Sequence, residues 1–112
     1  MQPLLSSLEH EEFWVLYLNN SNSVLYKLQV SKGGITGTVV DVRLILKNAI
    51  DLVAVAIILV HNHPSGNMRP SDAARHVTQK LKKGASTLEI KVLDHLIVTE
   101  KTYFSFADEN ML

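Results

Sequence analysis

The sequence predicts an α/β domain, bordering on α+β, with a mixed central β-sheet flanked by helices. Three observations predict it. Val53 to Val60 is a continuous apolar run rich in β-branched residues, the pattern of a central strand covered on both faces. Amphipathic helical patterns lie before and after that run. About five strand-like segments alternate with these two helices, and such alternation marks a layered fold. The 112 residues are enough for a core without staples, so one domain over 1–112 is expected.

Each element has its own local warrant. Residues 1–8, with Pro3 and two serines, read as a tail or short helix. Phe13 to Leu18 is aromatic and aliphatic, which favours a buried strand. Asn19-Asn20-Ser21-Asn22 is a polar turn cluster, and Val24 to Val30 completes a hairpin. Lys32-Gly33-Gly34 breaks the pattern before a short extended piece around Ile35 to Val39. Asp41 to Leu52 is helical. Asp41 is the expected N-cap, and Val42, Ile45, Leu46, Ala49 and Ile50 form one face. After the central run comes a loop, Pro64 to Arg69. Ser71 then caps a helix running to about Lys83, with Gly84 as the expected C-cap. Leu88 to Val98 and Tyr103 to Phe106 supply the last strands. Helices before and after the central strand would cover its opposite faces.

Composition excludes several classes. Eleven basic residues balance eleven acidic ones, so there is no electrostatic footprint for nucleic acid or an anionic membrane. There is no cysteine, which excludes disulfides, thiolate nucleophiles, iron–sulfur clusters and the His/Cys/Cys site of zinc nucleotide deaminases. Residues 1–12 lack a basic segment followed by an apolar stretch, and no apolar run approaches the roughly 20 residues of a membrane span. A cytoplasmic setting is expected.

The chemistry concentrates at His61-Asn62-His63-Pro64-Ser65-Gly66. Strand side chains repeat every two residues, so His61 and His63 leave the same face. They stand at the C-terminal end of a strand, where open sheets place ligands. Zinc hydrolases combine three protein ligands with an open position for water. The metal makes hydroxide available near neutral pH, and a separate carboxylate moves the proton. Taken alone, the two histidines fit either part of such a site or a turn in which they are hydrogen-bonded or solvated.

Other segments extend the pattern: Pro70-Ser71, Thr78, and Leu93-Asp94-His95-Leu96-Ile97. Glu11-Glu12-Phe13 leads into the first strand, Gly37-Thr38 and Arg43 surround the first helix start, and Tyr103-Phe104-Ser105 lies near the end. Together these resemble the RadC-like branch of the JAB1/MPN (JAMM) metalloproteases, whose motif runs His-x-His, seven residues, Ser, two residues, Asp. The resemblance covers residues 8–112. It implies a JAB1/MPN, cytidine-deaminase-like architecture and a zinc cofactor. His61 and His63 would be metal ligands, Ser71 an oxyanion partner and Glu11 the base. Glu12 would point to the opposite face once the strand has begun. Asp94 and His95 match a family pair, read here as structural hydrogen-bonding residues.

One position departs from the family. Three residues after Ser71, where the motif places its metal-binding aspartate, stands Ala74. Asp72 is a weak substitute, because it is displaced by about 200° around the helix, and it is better explained as an acid favourable to the helix dipole. His76 meets the same angular objection. The resemblance therefore implies a zinc hydrolase of amide or isopeptide bonds, acting on an unidentified protein or peptide, with a weakened metal site. The alternative is a catalytically degraded module acting in protein binding or in DNA-repair-associated processes. Direct DNA binding is not expected from the charge, and no helix-hairpin-helix segment precedes the domain in this sequence. The oligomeric state is not legible.

Overall fold

The computed structural model describes residues 12–32, 40–62, 70–99 and 102–112. The expected tail, the Gly33-Gly34 break, the piece around Ile35 to Val39 and the Pro64 to Arg69 loop lie outside them. The elements are β1 (Glu12–Leu18), β2 (Val24–Lys32), α1 (Val42–Asp51), β3 (Ala56–Asn62), α2 (Asp72–Thr87), β4 (Lys91–Val98) and β5 (Tyr103–Ser105). They form a mixed five-stranded sheet in the order β2-β1-β3-β4-β5, with β3 and β4 parallel and the other neighbours antiparallel. No helix among the described residues is long and apolar enough to cross a membrane.

Local signals act where the sequence places them. Asn19 closes the β1–β2 turn, its Oδ1 accepting from the amides of Ser21 and Ser23. Asp41 accepts from the Arg43 amide at the start of α1, and Arg43 beside it holds the carboxyl below its usual range. Ser71 caps α2 by accepting from the Ala74 amide at 3.1 Å.

The helix ends differ from expectation. α1 closes on Val53 in a left-handed conformation, with the Ala54 amide donating to the Ala49 carbonyl at 2.9 Å. The central strand therefore begins at Ala56 rather than at Val53. α2 closes in the same way on Glu89, with Ile90 donating to Ala85. Gly84 is thus not a cap but lies within α2, where a Cβ would come 2.9 Å from Leu46 Cδ1 of α1. Its missing side chain lets the two helices approach. Ile50, expected on the buried face of α1, is 55% exposed because the packed stripe runs through Val42, Ile45 and Ala49.

Both helices pack on one face, contrary to the opposite-face expectation. Phe13, Val15, Tyr17, Ile57 and Leu59 share a core with Ile45 and Ala49 of α1 and with Val77, Leu81 and Ala85 of α2. Strand order explains this. The β2–α1–β3 and β3–α2–β4 crossovers both advance in the same direction along the sheet. Crossovers of one hand that advance the same way leave their helices on the same side. Tyr17 ties α1 to the sheet, its hydroxyl donating to the Ile45 carbonyl at 3.0 Å. Burial pushes that phenol up to about 12. On the other face Leu16, Val60 and Val98 form a second cluster with Trp14, Ile58 and Leu96.

A bulge in β4 sets which side chains reach the helices. Val92 pairs with Ile57 but Asp94 pairs with Ile58, so Leu93 is an extra residue. The slip puts both Val92 and His95 on the helix side. Asp94 then anchors the chain end. Its carboxylate accepts from the His95 and Ala107 amides and from the Ser105 hydroxyl, at 2.7, 3.0 and 2.5 Å.

Two substitutions test this packing. Gly84→Ala gains roughly 0.8–1 kcal/mol of helix propensity against a small displacement of Leu46. It should stay within about 1 kcal/mol of wild type in urea unfolding, whereas Gly84→Leu overpacks the helix contact and should lose about 1–3 kcal/mol. Asp94→Ala should cost about 1–3 kcal/mol and speed amide exchange at Phe106, Ala107 and Asp108. Unchanged exchange there would contradict the anchoring role.

Candidate metal centre

β3 ends with His61 and Asn62, both buried, facing opposite sides of the sheet. Asn62 has a structural task that the motif alone does not reveal. Its Oδ1 accepts from the Glu12 amide at 2.5 Å, fastening the start of β1 to the end of β3. Glu12 lies on the side away from His61, as expected, and its carboxylate accepts from the Trp14 indole at 2.9 Å. Phe13 is the ladder partner of His61. Glu11 and His63 lie outside the described residues.

His61 is the first member of a buried polar chain. Its Nδ1 is 2.7 Å from Nε2 of His95, whose Nδ1 is 2.5 Å from the Thr78 hydroxyl of α2. Thr78 in turn donates to the Ala74 carbonyl one turn earlier, at 2.8 Å. His61, His95 and Thr78 are all nearly inaccessible to water. Aromatic rings hold the second imidazole. Phe106 stacks on His95 at 4.5 Å and 12°, and Phe13 lies nearly parallel at 5.9 Å and 24°. The Asp94 anchor delivers that Phe106. Asp94 and His95 thus have the hydrogen-bonding roles read from the sequence. Thr78 was visible there only as part of a pattern. Its placement four residues after Ala74 is the signal that puts its hydroxyl over the Ala74 carbonyl.

Position 74 offers no ligand. Ala74 is fully buried against Ile97 and Phe106. Asp72 and His76 are both exposed, so neither reaches inward to replace the missing carboxylate. Ser71 is exposed at the helix start. Its oxygen accepts the capping bond, which leaves the hydroxyl proton able to donate elsewhere. Among the described residues no three His, Cys, Asp or Glu side chains converge. With alanine at 74, positions 61, 63 and 74 contain two side chains able to ligate a metal. That donor set does not fit a complete three-ligand zinc site.

Comparison with known proteins agrees with this architecture. A family model for the RadC-like JAB domain matches residues 1–111. A UPF0758 protein of Flavobacterium johnsoniae is 55% identical over 111 residues, covering 99% of this chain and 48% of that protein. A UPF0758 protein of Porphyromonas gingivalis is 46% identical over 113 residues, covering 100% of this chain and 50% of its own length. The UPF0758 protein YeeS of Escherichia coli is 43% identical over 108 residues, covering 96% and 73%. The chain spans about half the length of the first two. The matched family model, the mixed sheet and the placement of His61 at the end of its central strand lead to one conclusion: the chain belongs to the RadC-like JAB domain family.

Proposed function

We propose that this domain is a JAMM-type metallohydrolase module in attenuated form. In this reading zinc is held weakly, and hydrolysis of amide or isopeptide bonds in a protein or peptide is slow or lost. The observation that carries the reading is Ala74, buried among apolar side chains where the family motif places a carboxylate. Losing even an outer partner of a metal ligand typically costs about 10–100-fold in affinity or activity. Losing a ligand outright costs at least as much, and it removes a negative charge that would offset the cation.

Other residues support the same ancestry. His61 and His63 are assigned as ligands, with His61 at the C-terminal end of β3. Glu11 is assigned as the base, two residues before the Phe13 that pairs with His61. Ser71 is assigned as the oxyanion partner, and its capping bond leaves the proton that such a role needs. The balanced charge gives no footing for nucleic acid, so a protein or peptide partner is the better match.

Restoring the carboxylate tests the proposal. Zinc affinity, measured by competition with a chromogenic chelator, should rise by at least about 10–100-fold in Ala74→Asp. Without metal, the same substitution buries a carboxylate beside Ile97 and Phe106 and should lose at least about 1–3 kcal/mol. Zinc should recover part of that loss by binding the folded state. Equal affinity in the two proteins would overturn the assignment of position 74.

A further inference from the structure

We infer that the first residues of β4 and the last turns of α2 form a docking groove for an extended peptide segment that carries acidic side chains. Three observations carry the inference: an open strand edge, a cavity beside it, and two lysines lining that cavity.

The open edge comes from the shortness of β5, which pairs with Leu96, Ile97 and Val98 alone. Phe106 extends the cover by one step, its amide donating to the His95 carbonyl at 3.1 Å. Before that point no described strand lies outside β4. Lys91 turns its amide inward and donates to the Val55 carbonyl at 3.0 Å. Backbone direction alternates along a strand, so the amide and carbonyl of Val92 face outward. Such an edge accepts an added strand through main-chain hydrogen bonds. The bulge at Leu93 keeps that pairing short, so side-chain contacts must supply the rest.

The cavity offers those contacts. It measures about 460 Å³ and lies between Lys82 and Ser86 on α2 and Ile90, Val92 and Leu93 beside them. Ligand sites typically occupy about 300–1,000 Å³. A second cavity, of about 450 Å³, shares Lys91 and Leu93 with the first and reaches Asn20 and Asn22 of the β1–β2 turn. The groove therefore continues around the start of β4 to side-chain amides suited to a peptide backbone.

Charge selects the occupant. Lys82 and Lys91 are exposed and line the first cavity, against a single acidic residue, Glu89. Neither lysine is held in an ion pair among the described residues, whereas Arg43 and Lys47 are paired with Asp41 and Asp51. Apolar walls beside two ammonium groups complement a strand with apolar side chains on one face and carboxylates on the other. The sheet's other open edge, β2, carries Lys27 and Lys32 and no acidic residue, so that strand of a second copy is not the complement. Lys91 stands beside Ala56 at the start of β3, roughly 17 Å along the strand from His61. Docking there needs no metal and does not rest on the zinc reading above.

A titration of metal-free, nitrogen-15-labelled protein tests the inference. The probes are a capped Glu-Val-Glu-Val-Glu-Val hexapeptide and its counterpart with lysine in place of glutamate. The acidic peptide should shift the amide resonances of Lys82, Ser86, Val92 and Leu93 saturably and slow hydrogen exchange at Val92. The basic peptide should do neither. Lys82→Ala and Lys91→Ala should each weaken binding of the acidic peptide by roughly two- to fivefold, and added salt should weaken it in the wild type. Absence of saturable shifts at millimolar acidic peptide would overturn the inference. Equal binding of the two peptides, shifts located elsewhere, or an unchanged Kd in the double lysine variant would do the same.

Discussion

Two imidazoles meet inside this domain at a place where water cannot serve them, and much of the architecture answers that constraint. His61 and His95 stand on adjacent parallel strands, two residues out of register, with ring nitrogens 2.7 Å apart. A buried polar pair is tolerable only when its remaining donors and acceptors are also satisfied. Thr78 satisfies the far side of His95, which fixes the rotation of α2 over the sheet. Asp94 and Ser105 hold the chain end so that Phe106 stacks on the His95 ring. Phe13 fills the space beside both rings. Strand pairing, helix placement and the aromatic contacts therefore converge on the orientation of one histidine.

Much of this was legible because it depends on local chemistry. Asp41 and Ser71 cap the helices for the reason any short acceptor side chain does, by taking an orphan amide. The Asn19 turn, the apolar run before His61 and the hydrogen-bonding role of Asp94 and His95 were readable in the same way. What escaped depends on relations between distant segments. Single-face helix packing follows from the order of the strands, which hydrophobic periodicity does not encode. The bulge at Leu93 reverses the parity of β4, so simple alternation from Val92 would send His95 to the wrong side. Gly84 resembles a cap in sequence, and only Leu46, on another helix, reveals it as a contact point. Left-handed Val53 and Glu89 close their helices without the glycine that usually marks such a position.

At the site the division is similar. The register of the motif identifies Ala74 as a substitution, but its burial against Ile97 and Phe106 is a tertiary property. That burial gives the substitution its meaning, because the space is occupied by hydrocarbon. The buried chain from His61 through His95 and Thr78 ends on the backbone carbonyl of Ala74 itself. On the proposed reading, the domain combines a buried, hydrogen-bonded histidine with a motif that has alanine in place of its third ligand. Such a pairing is expected where the fold needs the buried network for its own packing, whatever the strength of metal binding.

The most direct measurement is the zinc content of wild-type protein, purified without chelator from zinc-supplemented medium and dialysed against metal-free buffer. Well under one equivalent should be retained if zinc is held weakly. One full equivalent surviving dialysis would contradict it, because a site with alanine at position 74 would then bind zinc as firmly as a complete one.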